Sequence, residues 1–182
     1  MALLYLVRHG RAAGTWDTHA DPGLDDAGRG QAEAMATALT SKGPLPVVTS
    51  PLLRTRETAA ALERLWGKPA RVDPRVGEIP SPVAAGLHRG EWLRRALQGR
   101  WDELDRSVEL WRAALLKALG ELSQDTVVVS HFVAINAAVG HARKDDRVTC
   151  FRPQNCSCTV LDTRGADWKI VQLGAEGESP VA

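Results

Sequence analysis

Two kinds of apolar run alternate along the chain. Leu3 to Val7, Pro46 to Thr49 and Thr126 to Val129 are short and apolar on both faces, which predicts strands buried in a sheet covered on two sides. Between them, apolar residues recur at helical spacing. Ala32, Met35, Ala36 and Leu39 form one such stripe, and Val108, Trp111, Leu115, Leu119 and Leu122 another. The first stripe follows the acidic start Leu24-Asp25-Asp26-Ala27-Gly28 and ends at Gly43-Pro44. Further helices are predicted after Ser50-Pro51, where serine can cap and proline suits the first position, over 91–97, over 104–122, and from Phe132 onward.

Shorter patterns complete the outline. Ala70 to Asp73, Val148 to Phe151, Cys156 to Asp162 and Trp168 to Leu173 read as strands, the last two joined by a turn at 163–166. Pro74 to Gly90 reads as a long irregular loop, a type that often carries function in compact domains. Strands alternating with helices predict a single α/β domain over residues 1–174, mainly a parallel sheet with helices on both faces. Residues 175–182 are expected to form a flexible tail.

Composition narrows the function classes. At 182 residues the chain supports one core of ordinary size, and its 44% hydrophobic and 25% charged content is globular. A net charge of +1 supplies no global field toward nucleic acid or membrane, so neither partner is expected. Any anion site must come from locally placed cations. With three cysteines and no Cys-x-x-Cys pair, buried thiols are expected rather than a disulfide or a metal site. No signal peptide or membrane-spanning run is read, and a cytoplasmic location is expected.

Candidate chemistry sits where strands end. The first strand breaks into Arg8-His9-Gly10, a cation, an imidazole and a backbone-permissive residue, a set suited to nucleophilic attack on phosphorus. Arg54 falls in the first turn of a helix, facing the positive end of its dipole, a place where a cation makes sense if an anion binds there. The strand 126–130 ends on His131. In a parallel α/β sheet, ligands bind outside the carboxyl ends of the strands, where all three residues fall. Arg8, Arg54 and His131 can surround the oxygens of a phosphoryl group, and their charge keeps His9 neutral and nucleophilic. Glu78 on the long loop is the leading general acid, with Glu91 and Asp17 as rivals.

The ordered blocks 6–10, 24–32, 50–59, 128–131 and 155–157 together resemble the histidine phosphatase superfamily, whose founding members are the cofactor-dependent phosphoglycerate mutases. The resemblance covers roughly residues 3 to 162. It implies that His9 is the phosphorylated nucleophile, that Arg8, Arg54 and His131 form the phosphate pocket, and that an acid near Glu78 donates the proton. Gly10, Thr15 and Phe132 are assigned to substrate binding. Several positions depart from the commonest family pattern: Arg11 stands where Glu is usual, Thr15 where Asn is usual, and Phe132 where Gly is usual. The extra length of the mutases is missing too. The expected activity is therefore metal-independent, cofactor-free hydrolysis of a small phosphomonoester through a phosphohistidine. A mutase-type transfer, or a phosphate- or phosphoprotein-binding module with weak catalysis, is the alternative.

Overall fold

Strand alternation decides the architecture. The computed structural model describes residues 2–14, 21–81 and 89–177. Its sheet has six strands among the described residues: β1 (Leu3–Arg8), β2 (Val47–Thr49), β3 (Arg71–Val72), β4 (Thr126–Ser130), β5 (Cys158–Asp162) and β6 (Lys169–Gln172). They lie in the order β3-β2-β4-β1-β5-β6. The pairs β3–β2, β2–β4 and β4–β1 are parallel, whereas β1–β5 and β5–β6 are antiparallel. The sheet is thus mainly parallel with an antiparallel edge.

Side chains point to opposite faces at successive strand positions, and the two halves of the core divide by that rule. Leu4, Leu6, Val48, Val128 and Leu161 join one buried cluster. Tyr5, Val7, Val47, Val127 and Val129 join the other. The helices α1 (Asp26–Leu39) and α2 (Leu53–Trp66) cover the second face, through Ala32, Met35, Leu39, Ala59 and Leu62. The helices α3 (Arg89–Gln98), α4 (Arg106–Gly120) and α5 (Phe132–Arg143) cover the first, through Leu93, Val108, Leu115, Leu119 and Ile135. Helices on both faces are as expected.

Three local expectations are corrected. Ser50 does not cap α2; the cap position is Leu52, without a side-chain bond, and the Leu53 amide is met by both carboxylate oxygens of Asp21, at 2.9 and 3.1 Å. Residues 148–151 form no strand. The Asn136 carboxamide reaches over from α5 and accepts from the amides of Cys150 (2.8 Å) and Phe151 (3.1 Å), replacing a sheet ladder. Cys156 lies before β5 rather than in it, with a left-handed backbone (φ 56°). Beyond β6, the Gly174 amide donates to Thr159 Oγ1, the Gln154 amide to the Ala175 carbonyl, and the Gly177 amide to the Arg152 carbonyl.

Candidate active site

β1 delivers the first two groups. Arg8 is its last residue and His9 follows directly, both fully buried. The backbone around His9 is held on both sides: its amide donates to the Ser130 carbonyl (3.0 Å) and its carbonyl accepts from Asn155 Nδ2 (2.9 Å). Its ring is fixed as well. Nδ1 lies 2.8 Å from the Gly10 carbonyl, which can only accept, so Nδ1 carries the proton and Nε2 keeps a lone pair. The Gly10 amide donates to Thr58 Oγ1 (3.0 Å), so it is already engaged and does not serve as an oxyanion donor. Gly10 is needed for a different reason: a Cβ there would stand 2.6 Å from the Gly28 carbonyl oxygen.

α2 delivers Arg54, almost wholly buried in the first turn. Its Nε donates to His9 Nε2 across 3.3 Å. Nη1 lies 3.8 Å from Asp21 Oδ1, and Nη2 lies 3.9 Å from Glu78 Oε2. The same helix locks itself to the neighbouring loops. Glu57 Oε2 accepts from the Leu24 amide (2.6 Å), and Thr58 Oγ1 joins the Gly10 amide to the Arg54 carbonyl. The unexpected anion at the α2 N-terminus is Asp21.

β4 and α5 deliver His131, at the cap position of α5. The rings of His9 and His131 stand 5.3 Å apart at 59°. His131 Nε2 and Ser50 Oγ are 2.8 Å apart, and the same hydroxyl accepts from the Leu52 amide at 3.3 Å, so Ser50 links this imidazole to the start of α2. Burial, with the charges of His9, Arg54, Arg8 and Arg89, holds the His131 pKa well below the ordinary histidine range.

Glu78 comes from the loop after β3, past a short 3-10 turn at Pro74–Val76. Asp73 anchors that turn by accepting from the Arg75 amide and from the guanidinium groups of Arg71 and Arg75. The Glu78 side chain is 3% exposed, and Oε2 stands 3.4 Å from His131 Nδ1. Neither atom has a hydrogen-bond partner among the described residues. Burial pushes the Glu78 carboxyl up to about 7, against the Ile79 amide bond and the fields of Arg54, Arg89 and Arg8. A buried acid near pH 7 beside a neutral imidazole forms a proton-donating corner.

The other sequence candidates separate cleanly. Glu91 is partly exposed and pairs with Arg95 within α3 (2.7 Å), whereas Glu78 is buried beside His131. Asp17 and Thr15 fall outside the described residues. Phe132, expected to touch substrate, is 2% exposed and packs in the core, with the Arg8 guanidinium carbon 5.3 Å above its ring. Arg11 is bound to Asp25 at 2.5 Å. Asp21, Ser50, Glu57, Thr58 and Asn155 were not singled out as functional from the sequence. Four of them lie in or beside the blocks around Arg54 and Cys156, and only their contacts reveal what they hold.

Two arginines, two imidazoles and a protonatable carboxyl thus converge where β1, β2 and β4 end. Several known proteins resemble the chain in sequence or in fold. Over 92% of this chain and 88% of its own length, a probable phosphoglycerate mutase of Photorhabdus laumondii is 26% identical. A glucosyl-3-phosphoglycerate phosphatase of Mycolicibacterium vanbaalenii is 36% identical over 49% of this chain and 38% of its own. Phosphoserine phosphatase of Entamoeba histolytica has the same fold, with a TM-score of 0.75 over 96% of this chain and 98% of its own at 21% identity. The family profile of the histidine phosphatase superfamily (branch 1) matches residues 4–176, and the chain belongs to that superfamily.

Proposed function

We propose that the protein is a phosphatase that hydrolyses a small phosphomonoester through a phosphohistidine on His9. The observation that carries this reading is the setting of His9, whose Nδ1 lies 2.8 Å from the Gly10 carbonyl while Nε2 faces the buried Arg54 guanidinium at 3.3 Å. Nε2 attacks phosphorus, and the P–O bond to the alcohol breaks. Arg8, Arg54 and His131 stabilise the equatorial oxygens while charge spreads over them. Glu78, carrying its proton below about pH 7, gives it to the leaving alkoxide. In the second half, the Glu78 carboxylate takes a proton from water as that water attacks the phosphohistidine. Phosphate leaves, and His9 and the protonated Glu78 are restored.

The relatives that act on phosphoserine and glucosyl-3-phosphoglycerate favour a small phosphorylated substrate. At the rim, Arg89 begins α3 and its charge reaches Glu78, which suits a substrate with a second anionic group. A mutase is the second reading, favoured by the full-length likeness to a probable mutase. A cytoplasmic site of action accords with the three free thiols. Among the described residues, no helix is long and apolar enough to cross a membrane. Turnover of an aryl phosphate in the presence of a chelator, with trapping of an acid-labile phosphoenzyme, tests the proposal; phosphate binding without turnover would leave only a binding module.

A further inference from the structure

Phe132 stands where the commonest pattern of the superfamily has glycine, and its place in the sheet explains what a ring does there. Arg8 in β1 pairs in register with Ser130 in β4, and register partners in neighbouring strands share a face. That face is the one lined by Leu4, Leu6 and Val128 and by the core cluster to which Phe132 belongs. The turn that carries His131 into the pocket therefore carries Phe132 beneath Arg8. The Arg8 guanidinium carbon lies over the ring, 5.3 Å from its centroid.

A buried guanidinium needs its charge compensated from several sides. Arg8 is 0% exposed; its Nη1 donates to the Pro153 carbonyl at 2.9 Å, and the field of Glu78 favours its charge. The negative face of an aromatic ring adds a third compensation without consuming any N–H donor. Glycine would leave that side open, and an aliphatic side chain would fill it without attracting the cation. We propose that Phe132 is a positioning residue that holds the Arg8 guanidinium from below by a cation–π contact and so sets its orientation toward the phosphoryl oxygens.

The inference rests on reading Arg8 as a phosphoryl ligand in the proposed reaction, so the test must separate the two. Orthovanadate inhibition is measured for the wild type, Phe132→Leu, Arg8→Ala and the double variant, with folding followed by circular dichroism. Phe132→Leu is expected to weaken vanadate about tenfold, the scale of a desolvated cation–π contact. In the Arg8→Ala background the same substitution should change vanadate affinity by no more than about twofold, because the cation it serves is gone. An equal loss in both backgrounds makes Phe132 a packing residue and overturns the inference, as does unchanged inhibition of Phe132→Leu. Unchanged inhibition of Arg8→Ala would instead remove Arg8 from the phosphate pocket and with it the parent reading. Should Phe132→Leu fail to fold, Phe132→Met carries the same comparison.

Discussion

Arg54 Nε donates to His9 Nε2 at 3.3 Å, while His9 Nδ1 donates to the Gly10 carbonyl at 2.8 Å. One ring nitrogen is thereby committed to the backbone and the other is left electron-rich beside a fixed cation. Attack through Nε2 follows from this pair of bonds. Rapid quenching with a labelled phosphomonoester should trap a base-stable, acid-labile adduct on His9, and peptide mapping should place it on Nε2. His9→Ala should retain its fold and lose several orders of magnitude in turnover; near-normal activity of a pure variant refutes the nucleophile.

Among the described residues His9, Asp21 and Glu78 surround the Arg54 guanidinium, which preorganises it. Removing one such donor typically costs about 10²–10³ in turnover. Arg54→Ala should fall in that range and resist vanadate. Normal vanadate inhibition would show that this guanidinium does not meet the phosphoryl group.

The pH dependence follows from Glu78. Its carboxyl is pushed up to about 7 by burial, so the proton needed by the leaving group is present below that pH and lost above it. With an alkyl phosphate, kcat/KM should decline as pH rises through about 7. Glu78→Gln should lower the rate and remove that limb. An aryl phosphate, whose leaving group needs little protonation, should show a smaller loss. A limb that persists in Glu78→Gln assigns the acid elsewhere.

Asp73 controls stability rather than chemistry. Its carboxylate sits among the Arg75 amide and the guanidinium groups of Arg71 and Arg75, which hold its pKa well below the usual range. A folded value below the unfolded one means stability that is present above about pH 4 and lost as pH falls through the folded value. Asp73→Asn should cost about 1–3 kcal/mol at pH 7 by urea unfolding. The gap to wild type should close in acid; a gap that stays constant from pH 7 to pH 2 would contradict the ion-pair account.

Phosphatase and mutase differ in what the phosphohistidine meets next. A mutase needs cations for a second anionic group and a site closed to water. Arg11 is tied to Asp25, Arg29 to Asp26, and His88 lies outside the described residues, so Arg89, whose field reaches Glu78 from the start of α3, is the described candidate for a second anionic group. A radiolabelled phosphoenzyme should therefore lose its label to water faster than to a monophosphoglycerate. Predominant bisphosphoglycerate would promote the mutase reading.

Much of the fold was legible because strand and helix periods differ. Two-sided apolar runs at 3–7 and 126–129 could only be central strands, and the stripes at 32–39 and 108–122 could only be helices with one buried face. The strand expected over 148–151 failed because a distant side chain, Asn136, took over its backbone amides. Pattern within a segment does not register a partner more than ten residues away.

The sequence by itself determined which residues could do chemistry and that they stand at strand ends: Arg8 and His9 after one apolar run, His131 after another, Arg54 opening a helix. Tertiary structure alone decided what each one does there. It gave the Gly10 amide to Thr58, the α2 terminus to Asp21, and Ser50 to His131. It buried Phe132 under Arg8, and it sealed Glu78 among cations in a place with too little water to favour its charge. Tautomers, hydrogen-bond partners and pKa values depend on distances between groups far apart in the chain, and those distances exist only once the sheet has closed.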